Sequence, residues 1–365
     1  MSICQLNVES VRNLSQVQMQ PCDGFNFIVG LNGAGKSSVL EAIHMLGAGR
    51  SFRTSRHRQL IQYEQQQLNI FAEVDRGHQR HRVGMQRDKQ SDLAIRINGQ
   101  STTRLADLVG LFPLQLLTPE SANLLLTGNK VRRQFLDWGL FYQGEQFFNA
   151  WKRYTRILKQ RNAMVRQQAR YEQIGFWDQE LISNGRVISQ LREEFVARLQ
   201  QALLPFTHKF LPDHEVTLVY QPGWDLSDDL ATQLESNYPR DLRQGYTTLG
   251  PHRATFKVKV NNNPAEEMCS RGQLKLLVAA LTLAQGALLS QQHGIPCIYL
   301  VDDFAAELDE SRRALLIECL IAIKSQVFIT ATDSIFVDQI RQQIEDQARP
   351  IKVFHVEQGK LTKHE

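Results

Sequence analysis

Three patterns of apolar and polar positions succeed one another along the chain, and each predicts a different kind of element. Short unbroken apolar runs, Phe25-Asn-Phe-Ile-Val29, Leu114-Gln-Leu-Leu117, Cys297-Ile-Tyr-Leu-Val301 and Val327-Phe-Ile-Thr330, have the length of strands buried on both faces. Alternating segments at Leu68–Val74, Arg80–Gln86 and Leu93–Asn98 are separated by Asp75-Arg-Gly77, Arg87-Asp-Lys-Gln90 and Asn98-Gly99, a spacing that predicts an antiparallel meander. From Glu120 the period turns helical and stays so to about Leu204, with strands expected again after Pro205, at Val216–Tyr220 and Ala254–Val260. A turn at Asn261-Asn-Asn-Pro264, a long apolar helix over 271–292 and a further helix over 311–325 complete the pattern. Ser2 to Asn13 alternates weakly and reads as an edge strand that pairs near the Phe25–Val29 strand.

This order predicts an α/β fold in which a mixed-sheet head is interrupted by an inserted, mainly helical lobe. The expected boundaries are 1–119 for the first part of the head, 120–240 for the helical lobe and 241–365 for the rest of the head. With 365 residues, two lobes suit the chain better than one core. The five scattered cysteines form no Cys-x-x-Cys pair, which fits a reducing compartment. No apolar stretch reads as a membrane span, and the start of the chain lacks a signal pattern, so a cytoplasmic protein with no membrane partner is expected.

Candidate chemistry begins where the strand at 25–29 ends. Gly30-Leu-Asn-Gly-Ala-Gly-Lys-Ser-Ser38 lies between a buried strand and an amphipathic helix, the three parts of a P-loop. Gly30, Gly33 and Gly35 let the backbone turn successive N–H groups of Leu31, Asn32 and Ala34 inward on an anion, and the helix N-terminus faces the same point. Lys36 is placed to reach β- and γ-phosphates and Ser37 to join a Mg²⁺ shell, with Ser38 counted among the nucleotide-binding residues. ATP and Mg²⁺ are thus the expected cofactors. The run Ile298-Tyr-Leu-Val-Asp302 supplies the acid such a site needs at the end of a neighbouring strand, making Asp302 the second metal ligand. Asp303 is either the base that orients an attacking water or a cap for the next turn. Glu307-Leu-Asp309 opens the following helix, where the dipole favours acids in any protein.

The net charge of +4 is mild, but the arginines are unevenly placed. Arg50, Arg53, Arg56 and Arg58 fall within the ten residues from Gly49, a stretch with no apolar period. On the helix that follows Trp151, Lys152, Arg156, Lys159, Arg166 and Arg170 share one face, with Tyr154, Ile157, Leu158, Met164 and Val165 broadly opposite and few acids between. Such a face is either ordinary solvated surface or a track for nucleic-acid phosphates, and the residues alone leave both open.

Ser270-Arg-Gly-Gln273 opens the long apolar helix ahead of the Asp302 strand. P-loop, insertion, Ser-x-Gly-Gln helix start, paired acids and a Leu-Asp turn, in that order, resemble the ATP-binding-cassette arrangement. Within that superfamily the chain resembles the RecF family of recombination mediators, related to the heads of Rad50 and SMC proteins. The resemblance runs through Gly49-Arg-Ser-Phe-Arg-Thr-Ser55, Thr118-Pro-Glu120, Arg132-Arg-Gln-Phe-Leu-Asp137, Thr248-Leu-Gly-Pro-His-Arg253 and Asp302-Asp-Phe304. It implies an ATP-dependent homodimer in which Ser270, Gly272 and Gln273 of one copy cover nucleotide on the P-loop of the other. It also implies binding of gapped or duplex/single-strand junction DNA, loading of recombinase with RecO and RecR, and Gln115 as the residue that senses Mg²⁺. His252 and Arg253 are candidates to contact nucleotide or DNA, although Gly250-Pro-His-Arg253 also reads as a tight turn. Arg271 in place of the usual glycine, Asp303 in place of a glutamate, and Thr332 near the usual switch histidine imply slow hydrolysis. A cohesion-type clamp would need a far longer coiled insertion, and a nuclease-fused head would need more chain after Asp302. A small-molecule kinase leaves Ser270–Gln273 unexplained.

Overall fold

A computed structural model describes residues 1–77, 79–90, 92–304, 307–332 and 335–364. The chain divides into two compact units, 1–121 with 289–365, and 122–288. The stretch 241–288, expected in the head, therefore belongs to the second unit. Its strand β10 (Thr255–Val260) is hydrogen-bonded to β9 (Val216–Gln221) along its whole length, and Arg132 and Arg133 bond Thr255 Oγ1 and the Ala254 carbonyl.

The first unit holds two six-stranded sheets. Antiparallel strands β1 (Ser2–Val11), β2 (Leu14–Met19), β4 (Gln67–Arg76), β5 (Gln79–Asp88), β6 (Leu93–Ile97) and β7 (Gln100–Thr102) lie in the order β2-β1-β4-β5-β6-β7. The meander is thus as expected, but β1 is neither an edge nor a partner of the P-loop strand: it pairs with β2 and β4. Its link to the other sheet is a side chain, the Gln326 amide, which donates to the Ile3 carbonyl at 2.9 Å and accepts from the Ile3 N–H at 2.8 Å.

The second sheet follows the order β15-β14-β3-β13-β12-β8, with β3 (Phe25–Val29), β8 (Leu114–Leu117), β12 (Ile298–Val301), β13 (Val327–Ala331), β14 (Ile351–Glu357) and β15 (Lys360–His364). All but β15 run parallel, and β3, β12 and β13 are buried at every position, which is why they read as unbroken apolar runs. Helix α1 (Lys36–Ala48) is buried along nearly all its length, in one apolar cluster with residues of both sheets, among them Leu6, Ile43, Leu46, Ile70, Leu300 and Phe354. Short α2 (Leu105–Val109) connects the two sheets.

The second unit contains α3 (Asn123–Leu126), α4 (Asn129–Phe141), α5 (Glu145–Arg166), α6 (Tyr171–Phe210), α7 (Leu230–Ser236), α8 (Tyr238–Gln244), α9 (Ala265–Met268) and a small sheet β11-β10-β9, with β11 at Asn263–Pro264. Helix α6 runs through Pro205, where the helical pattern was expected to end. A stripe of buried residues, Phe195, Leu199, Leu203, Thr207 and Phe210, holds the helix on course across the lost N–H. Its 40 residues span about 60 Å.

Helix α10 (Arg271–His293) is, among the described residues, the one helix long and apolar enough to cross a membrane, against the expectation that none would be. In its most apolar stretch of 18 residues, 78 % are buried inside the protein, the position of a core helix. Helices α11 (Glu310–Ile323) and α12 (Ile335–Glu345) complete the first unit.

Candidate functional site: a nucleotide cradle at the strand ends

Parallel order brings the C-terminal ends of β3, β13 and β12 side by side, where open α/β sheets bind ligands. At the end of β3 the loop 30–35 turns on Gly33 (φ 80°) and Gly35 (φ 119°), left-handed positions that side chains rarely adopt. Gly30 has a different reason to be glycine: a Cβ there would lie 2.3 Å from the Val356 carbonyl oxygen. Gly35 caps α1, and the Ser38 and Val39 amides bond back to its carbonyl. Lys36 is 4 % exposed, and its ammonium donates to the Gly30 carbonyl at 2.7 Å and the Leu31 carbonyl at 3.1 Å. One of its three hydrogens is left for another acceptor.

Asp302 leaves the end of β12 with its N–H bonded to the Leu117 carbonyl of β8 at 2.8 Å. Thr330, on β13 between β3 and β12, lies 3.1 Å from Asp302 Oδ1 and 3.3 Å from Asp303 Oδ1, and its hydroxyl accepts the Asp303 N–H at 2.8 Å. Burial raises the Asp302 pKa, opposed by a hydrogen bond from Ser37 and reinforced by the Asp303 charge. The P-loop serine and the strand-end carboxylate are therefore in contact across the sheet. A hydroxyl and a carboxylate are the hard oxygen donors that suit Mg²⁺, whose remaining positions go to water and phosphate. Asp303 itself has φ 50° and lines the cavity.

That cavity, about 660 Å³, is lined by Asn32, Gly33, Gly35, Lys36, Ser37, Ser38, Arg53 and Asp303, and by residues the motif did not announce: Arg12, Asn13, Gln59, Ile61 and Tyr63. Arg12 and Asn13 form the turn between β1 and β2. The Arg12 guanidinium makes a two-pronged pair with the fully buried Glu41 of α1, at 2.8 and 2.9 Å. Ser51 donates to the same carboxylate and accepts from the Arg53 and Thr54 N–H groups at 2.9 and 3.0 Å. Asn13 donates to the Gly33 carbonyl at 3.0 Å and accepts from Ser38 at 2.9 Å. One acid on α1 thus fixes both the turn that braces the P-loop and the basic loop after the helix. Arg12 has φ 56°, and an arginine-asparagine turn carries no motif beyond the turn preference of asparagine.

The remaining expected residues fall elsewhere. Gln115 is buried on β8 in register with Tyr299, three residues short of Asp302. Ser270, Gly272 and Gln273 lie in the other unit, at the start of α10. There the Gln273 side chain accepts from the Ser270 N–H at 2.8 Å and the Ser270 hydroxyl accepts from the Gln273 N–H at 3.3 Å, a reciprocal cap. Arg50, Arg53, Arg56 and Arg58 are exposed in the first unit; Lys152, Arg156 and Lys159 are exposed on α5 in the second. His252 is spoken for internally: one ring nitrogen meets the Tyr154 hydroxyl at 2.7 Å, the other the Thr247 carbonyl at 2.8 Å, and burial lowers its pKa to about 4. Gly250 (φ 125°) approaches so closely that a Cβ would sit 2.7 Å from the same hydroxyl. Of the Gly-Pro-His-Arg segment only Arg253 is exposed, over the Tyr246 ring. Arg132 and Arg133 are likewise committed, to backbone carbonyls and Thr255.

A family model described as the RecF/RecN/SMC N-terminal domain matches residues 2–362. The chain is 44 % identical over 363 residues to the DNA replication and repair protein RecF of Shewanella pealeana and 42 % identical to that of Shewanella loihica, covering 99 % of each chain in both pairs. Among solved structures it is similar to a recombination mediator RecF with ATP, from the RecFOR pathway, at TM-score 0.87 and 23 % identity over all of this chain and 99 % of the other. An Smc head bound to the C-terminal winged-helix domain of ScpA follows at TM-score 0.60 and 14 % identity, covering all of this chain and 98 % of that one. The fold is that of an ATP-binding-cassette head, and the chain belongs to the RecF family of DNA replication and repair proteins.

Proposed function

We propose that the chain is an ATP-operated DNA-binding protein of recombinational repair and replication restart, working as a homodimer that ATP closes. One observation carries this reading: Lys36, Ser37 and Asp303 line one cavity, with the Ser37 hydroxyl on Asp302, at the C-terminal ends of adjacent parallel strands. The loop amides and Lys36 bind the phosphates of ATP, and Ser37 with Asp302 holds Mg²⁺, whose charge would screen the γ-phosphate during transfer to water. Asp303, steadied by Thr330, orients that water. Tyr63, 88 % exposed at the cavity rim, offers a face for the adenine.

The cavity is open and supplies groups for one side of a nucleotide. The exposed, capped start of α10 supplies Ser270, Gly272 and Gln273 for the other side, on the nucleotide of a second copy. ATP binding then joins two heads and hydrolysis, slow with an aspartate in the base position, releases them. Gapped or duplex/single-strand junction DNA is the substrate bound, through the arginines of the 50–58 loop and the basic face of α5, with RecO and RecR as partners in recombinase loading and the cytoplasm as the compartment. Gln115 would sense Mg²⁺ only by way of the strand end beyond it.

Sedimentation velocity of Asp303→Asn with Mg-ATP, with and without a gapped duplex and at two salt concentrations, tests the proposal. A nucleotide-driven shift from monomer to dimer, with DNA association that weakens at higher salt, is expected. A monomer under every condition would overturn it.

A further inference from the structure

Arg87 is 6 % exposed, yet it pairs with no carboxylate among the described residues. It lies on β5, opposite Leu68 of β4. One guanidinium nitrogen, Nη1, lies against both ring nitrogens of His57, with Nε2 at 3.1 Å; Nη2 reaches the Gly49 carbonyl only at 3.4 Å; and Nε has no partner among the described residues. Burial pulls its pKa down with no neighbouring charge to oppose the effect. A buried cation left this way costs stability, and proteins normally pair it. The same guanidinium nitrogen faces both nitrogens of the His57 ring, so the ring is turned to Arg87 and brings no donor of its own to the space beyond it.

His57 lines a second hollow, about 570 Å³, with His44, Arg50, Ser51, Phe52, Arg53, Thr54 and Ser55. Within it the roles differ. His44 is turned to the Arg50 carbonyl and its pKa is lowered to about 4 by burial, so it brings no charge. Ser51 and Thr54 spend their hydroxyls on Glu41 and Gln59. Arg50 and Arg53 keep their guanidiniums and Ser55 its hydroxyl, and neither arginine pairs with a carboxylate among the described residues. Two free guanidiniums and a free hydroxyl around one concave space, with an unpaired buried arginine against the His57 ring, complement a tetrahedral oxyanion and little else.

We propose that this hollow is a phosphate-binding pocket that seats one phosphate of a bound DNA strand, with Arg50, Arg53 and Ser55 as the direct donors and Arg87, against the His57 ring, as the buried charge that the phosphate neutralises. The inference rests on the DNA-binding reading above and deepens it by naming a site. It accounts for two things at once: why an arginine is buried without a partner, and why the basic loop is folded around a cavity instead of lying flat on the surface. The phosphate is either the terminal monoester at a strand end or an internal diester, and the same donors serve both.

The test uses the full chain with Mg-ATP and the variants His57→Ala and Arg87→Met. Neither residue lines the nucleotide cavity, so ATP binding is expected to stay as it is. Arg53 lines both cavities and is left intact. Binding is measured for three probes: a gapped duplex with a 5′-phosphate at the gap edge, the same duplex with a 5′-hydroxyl, and an unbroken duplex. Each variant is expected to bind about tenfold more weakly, with the slope of log affinity against log salt shallower by about one, the loss of one phosphate contact. A loss confined to the phosphorylated probe assigns the pocket to a strand end; an equal loss on all three assigns it to an internal phosphate. If the unmodified protein binds DNA and both variants match it in affinity and slope, the pocket is wrong and the DNA reading stands. If the unmodified protein binds none of the probes, the DNA reading itself fails. Melting without DNA gives an independent check: Arg87→Met is expected to melt at the same or a higher temperature, and a clear drop would make Arg87 a structural residue and overturn the proposal.

Discussion

The two units each bury an arginine, and they treat it in opposite ways. In the second unit Arg161 on α5 is completely buried and holds Asp178 of α6 and Asp241 of α8, each at 2.8 Å, and the Thr247 hydroxyl at 2.7 Å. Asp241 passes the network on to the Thr248 N–H and hydroxyl at 2.9 and 2.8 Å, and Asn162 accepts the Thr247 N–H at 2.8 Å. Only Nη2 of Arg161 has no partner. Two helices and the stretch leading into Gly250 are located by one guanidinium. In the first unit Arg87 has no carboxylate among the described residues, and the Asp302–Asp303 pair places two carboxylates together with hydroxyl partners and, among the described residues, no ion pair, only the more distant charge of Arg53. A buried charge that the fold neutralises specifies architecture; one that it leaves uncompensated is directed at something outside the chain.

The largest expected effect comes from breaking the neutralised network. Arg161→Leu would strand Asp178 and Asp241 in the interior, at a cost of about 3–5 kcal/mol. Thermal or urea unfolding followed by a probe in the second unit should show that loss. A variant that melts like the unmodified protein would mean that the pairing adds nothing and that the contrast with Arg87 is empty.

Opposite behaviour is expected at Asp302. Its raised pKa means that the folded protein holds the proton more tightly than the unfolded chain does, so stability declines as pH rises from the ordinary value of 3.8 through the raised one. Asp302→Asn can still accept from Ser37 and Thr330 while removing the buried charge and its repulsion from Asp303. The variant should melt a few degrees higher than the unmodified protein in metal-free buffer at neutral pH and lose that slope, and Mg-ATP should no longer raise its melting temperature. Retained stabilisation by Mg-ATP would remove Asp302 from the metal site.

These contrasts were only partly legible in the chain. The glycine-rich turn after β3 and the acid at the end of β12 were, because both stand in contiguous stretches directly after an apolar strand. The parallel strands were legible because burial on both faces leaves an unbroken apolar run. Arg161 could have been found: at about 100° per residue it shares the face of Tyr154, Ile157 and Val165, and an arginine on an apolar face needs an acid partner. Arg87 could not, since a polar residue beside Asp88-Lys-Gln90 reads as the opening of a turn, whereas it is the next-to-last residue of β5. The brace of Arg12 and Asn13 depends on a left-handed turn meeting α1 across the fold, which no local pattern encodes. Several motifs in the family's order, Arg132-Arg133 and Pro251-His252 among them, are internal fastenings in this structure, so they signal architecture more than a binding surface.

The smallest expected effect on stability, and the most informative about assembly, lies at Ser270. Its hydroxyl accepts the Gln273 N–H, so Ser270→Ala removes half of a reciprocal cap and costs roughly 1 kcal/mol at the start of α10. ATP binding at the P-loop should be unchanged while ATP-driven dimerisation is lost. Loss of the cap alone could loosen the helix start and mimic that result, and Ser270→Asn separates the two, because asparagine caps a helix as well as serine but presents an amide where the hydroxyl was. If the hydroxyl meets nucleotide held by a second copy, both variants stay monomeric with Mg-ATP in sedimentation velocity. If Ser270→Asn dimerises like the unmodified protein, Ser270 is a cap and no more, and the start of α10 belongs with Arg161 among the parts that only hold the fold.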